Sequence, residues 1–368
     1  MRVPYNYLAR QFNVIEVDRI LAALRAHAIT GDFTLGAPVL EFERRFAAMV
    51  GVRHAIGVNS GTDALILALK ALRIGPGDEV ITQVNTFYAT VGAIMAVGAT
   101  PRFVDVGPDF GIEVGDIPMQ MTPRTRAILP VCWLGLPPDL PAVLELARAC
   151  GVEVIEDACP GVDAAYEGKA AGSFGTLGAF SFHPLKQLNV WGDGGTVVTD
   201  DDDLAAWIRL YRNHGMSGRD TIPIWGVNSR LQSFQAVVAL QGLDRVHGWV
   251  TRRIEVAERL DKGLGAIEGI TVPPRHSNRR HAYQVYTVTA ANRDGLRAFL
   301  ADHGVETKIH YPVPLHLQPA AINLGYKAGD FPVAERQAKT MVSLPCNQYL
   351  GDEEVDFMIE QIRIFYGA

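Results

Sequence analysis

The sequence predicts an α/β protein: a large domain with a central, mostly parallel mixed sheet flanked by helices, and a smaller C-terminal α+β domain. Through the first two thirds of the chain, short apolar runs alternate with helical stripes, which is typical of right-handed βαβ units. At 368 residues the chain is long for one hydrophobic core. Because the pattern changes near residue 245, we place the domains at 1–245 and 246–368, and we expect the first residues to pack on the small domain.

The individual elements follow from hydrophobic periodicity. Leu65, Leu69 and Leu72 share one helical face, whereas the buried strands are short apolar runs. The strands predicted for the large domain are 54–58, 78–82, 101–106, 126–131, 152–157, 177–182 and 195–200, and the helices are 39–51, 62–72, 87–97, 139–150 and 201–215. The small domain is predicted to hold helices at 250–264, 293–304, 332–341 and 353–366 and strands at 281–290 and 306–310.

The composition excludes several classes of function. A formal charge of −6 provides no basic stripe for nucleic acid. The N-terminus lacks an apolar leader and no run of about 18 apolar residues occurs, so we expect a cytoplasmic protein without a membrane span. The four cysteines form no CxxC pair, which suits a reducing compartment. His310 and His316 have no partners at metal-ligand spacing, so we expect no metal.

One lysine stands out in the stretch FSFHPLKQLNVWGDGGTVVTD (180–200), where Lys186 occupies a polar break between two buried strands. A lone lysine near a strand end is most often a solvated surface residue. Here the glycines of GDGG allow close backbone approach, and Ser181 and His183 alternate into the same break. Lys186 is therefore a candidate for chemistry.

Two more segments are predicted to lie at the same edge of the sheet as Lys186. VIEDA ends a buried strand with Glu156 and Asp157 on opposite faces, so one of them faces the ligand crevice at the carboxyl end of the sheet. In VNSGTDAL the chain passes through Ser60, Gly61 and Thr62 into a helix whose free N–H groups suit a phosphate, although simple N-capping explains the same residues. The absence of G-x-G-x-x-G disfavours a nicotinamide-dependent oxidoreductase, and the absence of G-x-x-x-x-G-K-[ST] disfavours a P-loop protein.

A phosphate cradle, a lysine in a crevice and a buried carboxylate match the needs of pyridoxal 5′-phosphate. A lysine holds the cofactor's aldehyde as a Schiff base. An acid keeps the pyridine nitrogen protonated, so that the ring accepts electrons from a carbanion.

With these residues in hand, the sequence resembles the fold-type I, aspartate-aminotransferase-like pyridoxal-phosphate enzymes, and more narrowly the DegT/DnrJ/EryC1/StrS family of sugar aminotransferases. The resemblance covers nearly the whole chain, and its specificity comes from the order and spacing of the motifs. These motifs are FTLGAPVLEFERRFA, NSGTDAL, GPGDEVIT, NTFYAT, GATPRFVDV, VIEDA, GSFGTLGAFSFHPLK, GDGGTVVTD, RNHGMSGRD, GVNSRLQSFQA, HYPVPLHLQPA and SLP.

The resemblance implies a role for each matching position. Lys186 would bind the cofactor and later move the proton, Asp157 would pair with the pyridine nitrogen, and Phe87 would stack on the ring, a contact of about 1 kcal/mol. The implied phosphate contacts are Ser60, Gly61, Thr62 and Ser181 of one chain and Asn228, with Arg230 beside it, of the partner subunit in a homodimer.

Three positions depart from the family pattern. The third residue past the aspartate, commonly a glutamine or histidine that contacts the cofactor's phenolic oxygen, is Pro160, which has no side-chain donor. Gln187 stands where asparagine is frequent. VCWLG replaces a common VHLYG, so Cys132 and Trp133 are expected to shape a distinct substrate wall.

The resemblance also suggests substrate contacts. It puts His310 and Tyr311, in HYPVPLHLQPA, near the sugar or the nucleotide, while a rigid proline-rich connection is an equal alternative for His310 and the favoured one for His316. It puts His214 near the substrate as well, although a helix-capping role is the more frequent one for such a residue.

These features together predict a homodimeric pyridoxal-phosphate aminotransferase with L-glutamate, or else L-glutamine, as amino donor. The acceptor would be a nucleotide-linked keto-sugar, with amination at C3 because HYPVPLHLQPA looks like that segment of 3-aminotransferases. The alternatives left open are a keto-cyclitol such as scyllo-inosose, a 4-keto nucleotide sugar, and a cofactor-binding regulator without turnover, which the presence of Lys186 and Asp157 disfavours.

Overall fold

The computed structural model describes residues 1–368, and a seven-stranded sheet forms its centre. In chain order the first nine strands are β1 (His54–Val58), β2 (Glu79–Gln83), β3 (Thr100–Val104), β4 (Thr125–Leu129), β5 (Glu153–Asp157), β6 (Ala165–Tyr166), β7 (Lys169–Ala170), β8 (Leu177–Ser181) and β9 (Gly195–Thr199). The central sheet has the order β1-β9-β8-β5-β4-β2-β3. Only the pairs that β9 makes with β1 and β8 are antiparallel, so the sheet is mixed and mostly parallel, as predicted.

Helices cover both faces of this sheet because successive strand residues point to opposite sides. The helices up to residue 243 are α1 (Leu8–Gln11), α2 (Val14–Ala28), α3 (Ala37–Val50), α4 (Gly61–Ala71), α5 (Tyr88–Ala96), α6 (Ile117–Gln120), α7 (Leu140–Cys150), α8 (Asp202–Tyr211) and α9 (Ser233–Leu243). On β8, Ala179 joins the core that the sheet forms with α4, α5 and α8, whereas Phe180 joins the core formed with α3 and α9.

A second layer of structure follows α9. Its elements are α10 (Val246–Leu264), β10 (Ile270–Thr271), β11 (Arg279–Arg280), β12 (Tyr286–Ala290), α11 (Arg293–Asp302), α12 (Pro332–Thr340), β13 (Met341–Leu344) and α13 (Asp352–Tyr366). An antiparallel sheet, β10-β12-β13, packs with α10, α11 and α13 around one core. Strand β11 pairs with β6, which in turn pairs with β7.

The N-terminal residues contact this C-terminal unit. The Val3 N–H donates to the Gly304 carbonyl at 2.8 Å. The Arg10 guanidinium makes two hydrogen bonds of 2.7 Å to the Glu354 carboxylate. None of the helices has the length and apolar character that crossing a bilayer requires.

Several predicted elements differ from the structure. The strand predicted at 306–310 is wrong. Glu306 pairs with Val3 near the N-terminus, and Lys308 pairs with Ser343 of β13, so the segment makes isolated contacts with two different partners and no continuous ladder forms. The strand expected from residue 281 begins at Tyr286, and the helix expected to reach residue 215 ends at Tyr211. Helices α2 and α9 have no counterpart among the predicted elements.

Candidate active site

A cavity of about 680 Å³ opens where the carboxyl ends of β4, β5 and β8 meet the start of α4. It collects residues that are far apart in the sequence, as the crevice rule for parallel sheets requires. The predicted site residues that line it are Gly61, Thr62, Phe87, Trp133, Asp157, Ser181, Lys186, His310 and Tyr311.

Lys186 reaches this cavity from the turn that follows β8. Its backbone N–H donates to the His183 carbonyl at 2.8 Å, which closes the turn after Pro184. Burial lowers the pKa of the Lys186 ammonium, and the charge of Asp157 opposes part of that shift. A lowered pKa makes the neutral amine, which is the nucleophilic form, easier to reach at neutral pH.

Asp157 is the carboxylate that faces the cavity. It is 4% exposed, and its two oxygens accept hydrogen bonds from the Thr90 hydroxyl at 2.7 Å and from the Cys159 N–H at 3.1 Å. Thr90 in turn pairs with the Thr86 hydroxyl at 2.8 Å. These contacts hold the carboxylate in one orientation.

Glu156 points to the opposite side of β5, as strand alternation requires. It accepts the backbone N–H groups of Gly172, Phe174 and Gly175 at 2.6–2.7 Å. Burial raises the pKa of Glu156, and these three donors counteract the rise. Glu156 therefore fixes the loop between β7 and β8 and takes no part in the cavity.

At the start of α4, one residue caps the helix and the next two line the cavity. Ser60 is the N-cap, and its hydroxyl accepts the Asp63 N–H at 3.0 Å. Gly61 and Thr62 begin the helix and line the cavity, and the first N–H groups of a helix have no partner within it. A Cβ atom on Gly61 would lie 2.6 Å from the Ser181 Cβ, so only glycine allows this approach.

His310, Tyr311 and Trp133 form one wall of the cavity. The His310 Nδ1 is 2.9 Å from the Ser343 hydroxyl, and burial lowers the pKa of His310 to about 4, helped by the positive charge of Lys186. The imidazole is therefore neutral near pH 7. The ring centroid of Tyr311 lies 5.9 Å from that of Trp133.

His214, Asn228 and Arg230 lie outside the cavity of their own chain. Asn228 forms an isolated antiparallel bridge with Asn213, whose side-chain oxygen accepts from the Arg230 guanidinium at 2.9 Å. The His214 N–H donates to the Val227 carbonyl at 2.9 Å. These three residues thus lie on two paired segments, 213–214 and 227–230, outside the cavity that holds Lys186.

His316 has a structural position. It is 3% exposed, and its Nε2 is 3.0 Å from the Glu335 carboxylate. No group of three or more histidine, cysteine, aspartate or glutamate side chains is arranged to hold a metal ion.

The comparisons with known proteins agree with this geometry. A model of the DegT/DnrJ/EryC1/StrS aminotransferase family matches residues 15–363.

The chain belongs to this family.

Among its relatives, a Geobacillus stearothermophilus protein named pleiotropic regulatory protein is 38% identical, with 100% of this chain and 99% of that one covered. A Streptomyces venezuelae dTDP-3-amino-3,4,6-trideoxy-alpha-D-glucose transaminase is 38% identical, with 98% and 96% covered. A Pseudomonas aeruginosa UDP-2-acetamido-2-deoxy-3-oxo-D-glucuronate aminotransferase is 38% identical, with 90% and 92% covered.

A solved structure shares the whole fold. The crystal structure of S. venezuelae DesV in complex with a ketimine intermediate superposes with a TM-score of 0.96 at 38% identity, covering 100% of this chain and 99% of that one. The predicted fold class is therefore confirmed. The aminotransferase activity and the pyridoxal phosphate cofactor predicted from the sequence are those of this family.

The residues present fit the cofactor of the family. The cavity offers one amine, one oriented carboxylate, and unpaired N–H groups at the start of α4 beside the Ser181 hydroxyl. A Cβ atom on Gly195 would lie 2.3 Å from the Ser60 carbonyl oxygen, so this second glycine lets β9 approach the same turn. Lysine, acid and anion cradle are the three groups that pyridoxal phosphate needs.

The two threonines behind Asp157 were not predicted from the sequence. Thr86 and Thr90 are buried, and their hydroxyls meet across the Phe87 N-cap of α5, a contact that no local sequence pattern indicates. Ser60 was predicted among the cofactor contacts, but its hydroxyl caps α4 and the residue does not line the cavity.

Proposed function

We propose that this protein aminates the C3 keto group of a nucleoside-diphosphate-linked sugar, with L-glutamate as amino donor. The observation that carries the proposal is the meeting of Lys186, Asp157 and the start of α4 in one cavity. Its volume, about 680 Å³, lies in the range of small-molecule sites, and it is large enough for a cofactor and part of a sugar nucleotide.

In this proposal the side chains divide the work. Lys186 Nζ would hold the cofactor and, once released, would act first as base and then as acid within each half-reaction. It would move a proton between the cofactor and the donor's α-carbon in the first, and between the cofactor and the keto-sugar carbon in the second. Asp157, held by Thr90 and the Cys159 N–H, keeps the ring nitrogen protonated. When bound, the cofactor supplies the electron sink for the carbanion.

Binding falls to the remaining cavity residues. Gly61, Thr62 and Ser181 hold the phosphate, through backbone N–H groups at a helix start and a hydroxyl. Phe87 stacks on the ring. Tyr311 would present an apolar face and a polar tip to the sugar.

His310 contributes a neutral hydrogen-bonding nitrogen because its pKa lies at about 4. Its Nδ1 is engaged with Ser343, whose hydroxyl is 3.0 Å from that of Thr287. The Nε2 of His310 is therefore the atom available to a sugar hydroxyl.

Two relatives support amination at C3. One is named for a 3-amino product on dTDP and the other for a 3-oxo substrate on UDP, and both match nearly the full chain. Their nucleotides differ, so the nucleotide is left to experiment.

The surface segment with Asn228 and Arg230 supports a homodimer. Trp225, three residues before Asn228, is 88% exposed, and Val227 is 42% exposed. Large apolar side chains at this exposure are typical of an interface. We propose that the segment packs on a second copy and brings Asn228 to the phosphate in the partner's cavity, with His214 beside it near the substrate.

The test uses both half-reactions. The holoenzyme is treated with L-glutamate or L-glutamine, which should convert the cofactor from its aldehyde form to its amino form. The loss of the absorption band of the Lys186-linked cofactor is recorded. UDP-, dTDP- and GDP-linked 3-keto sugars, 4-keto sugars and scyllo-inosose are then added one at a time. The proposal expects a 3-keto nucleotide sugar to restore the band fastest; faster recovery with a 4-keto sugar or scyllo-inosose would overturn the substrate assignment.

A further inference from the structure

Trp133 carries a buried donor without a partner. Its side chain lines the cavity and is 5% exposed, yet the indole Nε1 makes no hydrogen bond within the chain. A buried donor left unpaired costs about 1–3 kcal/mol, and buried tryptophan N–H groups normally find an acceptor. Because Trp133 lines the cavity, a ligand bound there would supply the missing acceptor.

The strand order places Trp133 relative to Asp157 and Ser181. The neighbouring strands β8, β5 and β4 bring Ser181, Asp157 and Trp133, in that order, to the cavity. Pairing continues beyond β4, since the Cys132 N–H donates to the Asp157 carbonyl at 2.9 Å. Trp133, the next residue, thus lies on the side of Asp157 opposite to Ser181.

The substituents of the cofactor ring then assign the acceptor. In pyridoxal phosphate the ring carbon that bears the aldehyde is opposite the ring nitrogen. Its two neighbouring ring carbons carry the phosphate arm and the phenolic oxygen, respectively. With the aldehyde at Lys186, the nitrogen at Asp157 and the phosphate toward Ser181, the phenolic oxygen faces the β4 side. This step rests on the proposed placement of the cofactor.

Other donors on that side are already engaged or missing. Pro160 has no side-chain donor. The Gln187 amide, which is fully buried, donates to the Pro160 carbonyl at 2.8 Å and does not line the cavity.

We propose that the indole N–H of Trp133 donates a hydrogen bond to the phenolic oxygen of the bound cofactor. A donor at this oxygen stabilises its negative charge, so it favours the deprotonated form of the Lys186-linked cofactor. The residue would thereby set the pH range in which the cofactor is ready to react.

The first test is a pH titration of the holoenzyme. Trp133→Phe keeps an aromatic ring and removes the N–H, so the midpoint of the absorption change should rise by about one pH unit. Trp249→Phe, a change at a tryptophan outside the cavity, should leave the midpoint unchanged. An equal midpoint in wild type and Trp133→Phe would overturn the proposal.

The second test observes the donor itself. In protein labelled with ¹⁵N-tryptophan, the five indole N–H resonances are compared before and after pyridoxal phosphate is added to the apo form, and Trp133→Phe identifies the relevant one. We expect the Trp133 resonance to move downfield with the cofactor. A resonance that moves only when a keto-sugar is added would overturn the proposal.

The proposed cofactor placement and the proposed role of Trp133 are tested separately. If borohydride reduction of wild type does not label Lys186, the proposed cofactor placement is wrong. If Lys186 is labelled and either test above is negative, the role of Trp133 is wrong and the cofactor placement stands.

Discussion

Replacing Asp157 with asparagine tests the electronic role of the cavity carboxylate. The Asp157 oxygens accept from Thr90 at 2.7 Å and from the Cys159 N–H at 3.1 Å, and the ring nitrogen would add a third donor. An amide of the same shape has one acceptor and one donor, so at least one of these partners meets an N–H group.

The expected loss follows from these contacts. A hydrogen bond to a charged group is worth about 1.5–3 kcal/mol, so one disrupted contact removes about 1.5–3 kcal/mol and two remove about 3–6 kcal/mol. If these contacts act in the transition state, the rate of the half-reaction with L-glutamate should fall about 10- to 10⁴-fold. The assay is stopped-flow absorbance of the holoenzyme.

The neighbouring carboxylate provides a matched control. Glu156→Gln changes the same charge one residue away, but Glu156 accepts three backbone N–H groups outside the cavity. We expect Glu156→Gln to lower the free energy of unfolding by about 1–3 kcal/mol and to keep the half-reaction rate. A wild-type rate in Asp157→Asn, or equal rate losses in both variants, would refute the reasoning.

Three further predictions concern the same cavity. Thr90→Val should slow the half-reaction about tenfold because Asp157 loses one of its two donors. Thr82→Val removes an equally buried hydroxyl that donates to the Leu129 carbonyl, so it should lower the free energy of unfolding without slowing the half-reaction. Equal half-reaction rates in the two variants would contradict this role of Thr90. Burial lowers the pKa of His310 to about 4, so between pH 6.5 and 4 the unfolded chain binds more protons than the folded one and the free energy of unfolding falls as the pH falls. Urea unfolding of His310→Gln should therefore depend less on pH than that of wild type; the same pH dependence in both proteins would contradict the lowered pKa. Mixed Lys186→Ala and Asn228→Ala subunits should recover about a quarter of wild-type activity, since half of the dimers would be hybrids with one intact site; no recovery would contradict a shared site.

The sequence could predict the framework of the site because that framework depends on periodicity. Alternation on β5 puts Glu156 and Asp157 on opposite faces, and the structure turns Asp157 to the cavity and Glu156 to backbone donors. The alternation of strands and helices likewise predicted the seven strands of the central sheet, with ends that differ by at most two residues.

Contacts between distant segments were beyond the sequence. Neither the Thr90 hydroxyl on Asp157 nor the unpaired N–H of Trp133 has a local pattern, because each depends on how neighbouring strands are ordered. The segment 306–310 looked like a strand from its residues, yet its pairing is divided between the N-terminus and β13. The role of Ser60 depended on whether its hydroxyl turns to the helix or to a ligand, which propensity does not decide.

The central claim is that the amine of Lys186 binds pyridoxal phosphate. Holoenzyme is reduced with borohydride, digested, and analysed by peptide mass spectrometry, with Lys186→Ala as the control. The account predicts one modified peptide, containing Lys186, and none in the variant. A label on any other lysine, or a labelled Lys186→Ala protein, would contradict it.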